Sequence, residues 1–269
     1  MSASAADSQV SQAPAPSSRR RADKRLMAGV ALSHTPDWVT LAFDRPRLAL
    51  SSAVVNGGLR HCRRWLNLRV DGAAVHIAES PATTVARLCQ QQGWAGDTQG
   101  MMTAASMNSL RIRRARVCGE DLAVLVTTGL ANARRAGDRA EYLALGDLSP
   151  TPGTINLAIV TSARLDPAVM VDITITATEA KAAALQDLGI RSPVSGAIAT
   201  GTGTDAIAVF SGPGPTQVLY GGKHTLFGQQ LARLVMAAIV DSVQQQGSVD
   251  QCPPHRSALD EDDSVRHVL

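Results

Sequence analysis

Short apolar runs alternate with segments of helical spacing along this 269-residue chain, and that alternation restricts the fold more than any other feature. Residues 38–43, 47–55, 122–127, 155–161 and 206–210 are apolar runs of strand length. Residues 110–116 alternate apolar residues with arginines, which predicts a strand with one charged, solvated face. Helical patterns fall between these runs. Residues 81–92 form one, ended by Gly93. Asp166-Pro167 reads as an N-cap followed by proline at the first helical position, and Gly189 supplies the stop. Val169, Ile173, Ala177, Ala180, Ala184 and Leu188 then share one face, although Thr174, Thr176 and Thr178 would also suit a strand. A last helix over residues 225–246 turns Leu231, Leu234, Val235, Ala238 and Ile239 inward. Strands interleaved with helices predict the α/β class, as one domain with a mixed sheet flanked by helices. The strand order is not legible at this level.

Hydrophobic residues make up 45% of the chain and aromatics only 3%, so the core must be built from Ala, Val, Leu and Ile. Residues 1–25 and 247–269 have few apolar anchors and are expected to be disordered tails around a domain over 26–246. A net charge of +3, with arginines split between a tail and a strand, argues against nucleic acid as a partner. No apolar run approaches the roughly 20 residues that a membrane span needs. Cys62, Cys89, Cys118 and Cys252 lack C-x-x-C spacing and read as reduced thiols. Ser18-Arg19-Arg20-Arg21 has no apolar h-region behind it. A cytoplasmic protein is expected.

Five loops of one kind recur. They are small, polar and rich in Gly, Asn and Thr: residues 51–58, 100–105, 127–132, 153–156 and 200–205. If their ends converge they line a crevice rich in amides and hydroxyls and poor in charge. Asn56, Gly57, Thr103, Asn132, Thr154, Asn156, Thr202 and Thr204 are the expected binding residues of that crevice. Such a lining suits a large ligand with many neutral hydrogen-bonding groups, though one or two of the loops are expected to be turns that serve only the fold. No phosphate-binding G-x-x-x-x-G-K-[ST] loop and no G-x-S-x-G elbow occurs, and no histidine or cysteine spacing predicts a metal site.

His224 stands beside Lys223, directly before the last helix. Both the helix N-terminus and the lysine disfavour an imidazolium there, which leaves a neutral base able to accept a proton. A histidine that only packs at the helix start fits the same position. Asp172, Thr176 and Glu179 fall on one face of the preceding helix, and Lys181 is expected to point elsewhere.

Six stretches stand in order along the chain. They are Asn56-Gly57-Gly58, Gly100-Met101-Met102-Thr103-Ala104-Ala105, Gly153-Thr154-Ile155-Asn156, Thr178-Glu179-Ala180-Lys181-Ala182, Gly201-Thr202-Gly203-Thr204-Asp205 and Gly222-Lys223-His224-Thr225. Over roughly residues 48–243 they resemble the adenosylcobinamide amidohydrolase (CbiZ) family, and six in order are specific. The resemblance implies hydrolysis of the amide joining aminopropanol to the corrin ring. The products would be adenosylcobyric acid and 1-amino-2-propanol, in corrinoid salvage. It implies a corrinoid substrate that brings its own cobalt, and no separate cofactor. Amide hydrolysis needs a base, an oxyanion site and a proton for the leaving amine. The expected assignment makes His224 the base, with Asp205 orienting it. Lys223 and the 202–204 backbone receive the oxyanion, and Glu179 is the rival base. Water or a threonine hydroxyl could attack. A corrinoid-binding protein without activity and a nucleotide-binding module remain as alternatives.

Overall fold

The computed structural model describes residues 22–70, 79–141 and 153–247. The expected tails beyond it, together with His76, Cys252, His255 and His267, lie outside the described residues. The described residues open with a hairpin, β1 (Ala22–Met27) and β2 (Val30–His34). Its first strand takes in residues 22–25, which composition alone assigns to the N-terminal tail. The antiparallel register of β1 on β2 pairs Lys24 with Leu32, and Leu26 and Met27 are buried. Cross-strand pairing therefore orders a segment whose charge reads as tail.

The two runs at 38–43 and 47–55 form one strand, β3 (Trp38–Ser51). Its register against β4 (Gly58–Arg69) shifts between Ala42 and Arg47. Pro46 lies in that gap, exposed with Asp44 and Arg45. Proline cannot donate to a ladder, so the strand bulges there instead of continuing its pairing. Helix α1 (Pro81–Gln91) follows, with the Ser80 hydroxyl accepting from the Thr83 N–H, and Gly93 takes a φ of 64° behind it.

Strands β5 (Thr98–Thr103), β6 (Arg111–Val117), β7 (Glu120–Thr128), the two-residue β8 (Ala133–Arg134) and β9 (Ile155–Thr161) come next. After β10 (Arg164–Leu165), helix α2 spans Pro167–Asp187. Its three threonines do not break it. Thr174 and Thr178 bond back to the carbonyls of Met170 and Thr174, at 2.9 and 2.8 Å. Asp166 sits at its N-cap position without a capping bond; its carboxylate accepts from the Gln217 amide at 2.7 Å. The described residues end with β11 (Gly201–Thr202), β12 (Ala206–Phe210), β13 (Gln217–Val218) and helix α3 (Leu226–Gly247).

The main sheet of the described residues runs β1-β2-β3-β12-β9-β7-β6, with β4 and β5 leaving it from β3. It is mixed: β12 pairs parallel with β9 and antiparallel with β3, and β4 pairs parallel with β5. One face carries Val124, Val126, Leu157, Ile159 and Val209 against α2 and α3. The other carries Ala123, Leu125, Ala158, Val160 and Phe210 against Leu41, Trp65 and Met101 from the β3–β4–β5 leaf. The sheet therefore curls back over itself. By length and a mean hydropathy of 1.2, α3 is apolar enough to cross a membrane, although polar residues interrupt its apolar run. In this fold its apolar residues Leu231, Val235, Ala238 and Ile239 are buried against the sheet. Arg113 of β6 pairs with Asp241 of the same helix, so the arginine face is partly solvated and partly paired with α3.

Candidate functional site

The five Gly/Asn/Thr loops come together through hydrogen bonds. Asn156 at the start of β9 donates to the Asn67 side chain at 2.8 Å and to the Met102 carbonyl at 3.0 Å. Asn67 donates to the Thr127 hydroxyl at 2.8 Å. Thr154 donates to the Thr204 carbonyl at 2.6 Å, and the Thr204 hydroxyl donates to the Gly153 carbonyl at 3.0 Å. The Asn132 carbonyl accepts from the Gly203 N–H, and a Cβ at Gly203 would lie 2.9 Å from the Asn132 amide nitrogen. Ser52 accepts from the Ile207 N–H at 3.0 Å and ties in the first loop.

This closure changes the role of several expected binding residues. Thr103, Asn132, Thr154 and Asn156 are each at most 5% exposed, and the bonds above or their own loop occupy them. The Thr103 hydroxyl accepts from the Ala105 N–H. Their side chains are turned into the protein. Asn56 is exposed, with φ 54°, and Gly57 follows it. The Asn56 amide donates to the Thr98 carbonyl and accepts from Arg60, so it shapes the β3–β4 turn. Thr202 is half-buried, and Thr204 is exposed.

Asp205 does not meet His224. Its two carboxylate oxygens accept from the Ile155 N–H, the Thr202 N–H, the Thr202 hydroxyl and the Lys181 ammonium. A carboxylate has about four lone-pair sites, so all are taken, and bonding an imidazole would break one of these contacts. Lys181, expected to point elsewhere, supplies the charge that balances Asp205. The backbone donors assigned to an oxyanion are also engaged at two of three positions. Thr202 N–H goes to Asp205 and Gly203 N–H to Asn132. Tertiary pairing consumes donors that a Gly/Thr motif offers when read alone.

The exposed chemistry lies on the outer side of α2. Lys223 pairs with Glu179, and both are open to solvent. His224 is exposed beside them, and Thr225 caps α3 by accepting from the Gly228 N–H at 3.0 Å. Thr176 donates to the Gly221 carbonyl, which fastens this segment to α2. Next to Glu179 an open cleft of about 520 Å³ is lined by Arg135, Ala182, Gln186, Ile198, Ala199 and Thr200. Glu179 thus stands at its rim and pairs outward with Lys223, and the Lys181–Asp205 pair lies on the inner side of the same helix. Among the described residues no three His, Cys, Asp or Glu side chains gather to hold a metal ion.

Compared with known proteins, residues 23–251 match the sequence profile of the adenosylcobinamide amidohydrolase (CbiZ) family. The chain belongs to that family. An adenosylcobinamide amidohydrolase of Methanosarcina mazei is 27% identical over 205 residues, 73% of this chain and 90% of that protein. An uncharacterized protein of Methanocaldococcus jannaschii is 33% identical over 163 residues, 55% of this chain and 64% of its own length. The match thus spans just under two thirds of that relative. An L-aminopeptidase D-Ala-esterase/amidase of Ochrobactrum anthropi is 12% identical, covering 80% of this chain and 78% of that one, at a TM-score of 0.39. That score is too low to bear on fold or activity.

Within this adenosylcobinamide amidohydrolase family member, two site residues escape reading by motif. Asn67 carries the signal of a lone amide inside an apolar run, Trp65-Leu66-Asn67-Leu68. Burying such a group requires partners, and it is fully buried here. Lys181 sits four residues after Ala177 and four before Leu185, on the apolar face of α2. A lysine on a buried stripe requires a carboxylate opposite it.

Proposed function

We propose that this protein hydrolyses the amide between aminopropanol and the corrin ring of adenosylcobinamide, in corrinoid salvage in the cytoplasm. The family match over residues 23–251 carries this reading. In the reaction, water adds to the amide carbonyl, the C–N bond breaks, and the water's protons pass to the leaving amine and the new acid. The products are adenosylcobyric acid and 1-amino-2-propanol. An open cleft of about 520 Å³ is the right order for the side arm and its amide, with the bulky ring resting outside.

In this reading the chemistry falls to Glu179 at the cleft and to its neighbours Lys223 and His224. His224 takes the proton from the attacking water and returns it to the leaving nitrogen. Lys223 offsets charge on the oxyanion in this reading, and Glu179, with which it pairs, is the competing base. Asp205 contributes by shape, since its lone pairs are occupied. The cobalt arrives with the substrate, and the reaction needs no further metal. Persistence of turnover after exhaustive chelation would support that point.

Incubating the purified protein with adenosylcobinamide and measuring free 1-amino-2-propanol by mass spectrometry tests the proposal. Stoichiometric release is the expected result. Corrinoid retained on the protein without release would instead mark a binding protein.

A further inference from the structure

The deepest charged contact of the candidate site is one that the proposed chemistry does not use. Lys181 and Asp205 pair with side chains only 8% and 10% exposed. Such a pair loses the solvation of both charges, so it persists only where its geometry is supported by further hydrogen bonds. Asp205 has them: it accepts from Ile155 N–H at 2.9 Å and Thr202 N–H at 3.0 Å, and from the Thr202 hydroxyl. One carboxylate therefore ties together the start of β9, the 200–205 loop and α2.

Glu179 and Lys181 are two residues apart on α2, roughly 200° around the helix. Glu179 stands on the outer face at the rim, and Lys181 on the inner face against the loop. The cleft lies between Glu179 on one side and Ala199 and Thr200 on the other. Thr200 is also held from behind, since its N–H donates to the Arg134 carbonyl and its hydroxyl accepts from the Ala136 N–H. Gly201, next in the chain, packs directly on the lock: a Cβ there would lie 2.9 Å from the Lys181 nitrogen. A compact ammonium fits that space, whereas the planar fork of an arginine would not.

We propose that Lys181 is a positioning residue: by holding Asp205 it fixes the 200–205 loop against α2 and sets the spacing across the cleft between Glu179 and Thr200. This rests on the amide-hydrolase reading of the same cleft. Loss of the lock lets the loop move by a distance small in structural terms but large for a bound amide. A displacement of about 1 Å costs about 10²-fold in rate.

The test uses the full chain carrying Lys181→Met, with two readouts at a temperature where the protein is folded. Amide hydrogen exchange at Thr202 and Ile155 should speed up, while Val124 in the buried strand β7 keeps its protection. In the hydrolysis assay kcat should fall by about 10²-fold with KM held, a split that a general loss of folded protein would not produce. Should Lys181→Met fail to fold, Lys181→Met/Asp205→Leu removes both charges and leaves no stranded ion. The same two readouts then apply to it. Unchanged exchange at Thr202 and Ile155 in either folded variant overturns the proposal, and so does wild-type kcat. If the parent protein itself releases no aminopropanol, the activity reading falls, while the exchange result still decides whether Lys181 holds the loop.

Discussion

Asn156 donates its side-chain amide to the side-chain oxygen of Asn67 at 2.8 Å, joining two strands that are not neighbours in the sheet. Asn67 is on β4 and Asn156 on β9, so the bond bridges the two leaves of the curled sheet. Both residues are at most 1% exposed. The contact acts as a polar pin at the end of an otherwise apolar interface, directly behind the loops of the candidate site.

Removing that pin should cost stability. Asn156→Ala leaves the Met102 carbonyl and the Asn67 oxygen buried without their donor. Each stranded group costs about 1–3 kcal/mol. The expected result is a lower denaturant midpoint with the slope of the transition unchanged. A midpoint equal to that of the parent would show that water replaces the lost amide.

Glu120 predicts a pH dependence at the opposite end of the sheet. It is 6% exposed, and its carboxylate is held below its ordinary range first by the Ser162 hydroxyl, with Thr216 adding to the effect. A carboxylate whose folded pKa lies below its unfolded value stabilises the fold above the unfolded value, and loses that contribution as pH falls through the folded one. Glu120→Gln should therefore lower the thermal midpoint at neutral pH, by about 1.5–3 kcal/mol in stability. The difference from the parent should shrink as pH drops below about 4. A gap that stays constant down to that range would contradict the assignment.

The cysteines should differ sharply in reactivity. Burial pushes the Cys62 thiol up to about 12, whereas Cys118 is exposed in the β6–β7 turn. The thiolate is the nucleophile, so iodoacetamide at mildly alkaline pH should label Cys118 and spare Cys62 until the protein is unfolded. Peptide mapping before and after denaturation reads this directly. Labelling of Cys62 in the folded state would indicate opening of the inner leaf.

His224 and Glu179 can be separated by rate. Both are exposed, so His224→Ala and Glu179→Gln should change stability by no more than about 0.5 kcal/mol. If His224 is the base, His224→Ala lowers kcat by about 10²–10⁴-fold in single-turnover experiments. Glu179→Gln should then cost much less. The reverse order would move the role of base to Glu179.

Much of the scaffold was legible in the sequence because local rules govern it. The Gly93 stop, the Pro167 start and the apolar stripe of α3 all survive into the structure, each determined by neighbours within a turn or two. The bulge of β3 escaped because a run-length reading treats the Pro46 gap as a boundary. The hairpin at residues 22–34 escaped because its charged residues look like tail until a partner strand pairs with them.

The sequence by itself determined the family, the α/β class and the presence of five similar loops. Those properties depend on residue order and local periodicity. Tertiary structure alone decided what the loop residues do. Whether an Asn, a Thr hydroxyl or a backbone N–H is available to a ligand depends on which distant group already bonds it, and no local pattern records that partner. So Thr154 and Asn156 are buried and bonded within the fold, and the N–H groups of Thr202 and Gly203 donate to Asp205 and Asn132. Lys181, 24 residues before Asp205, became the counter-charge of the site because the curled sheet and α2 bring the two side chains into one buried space.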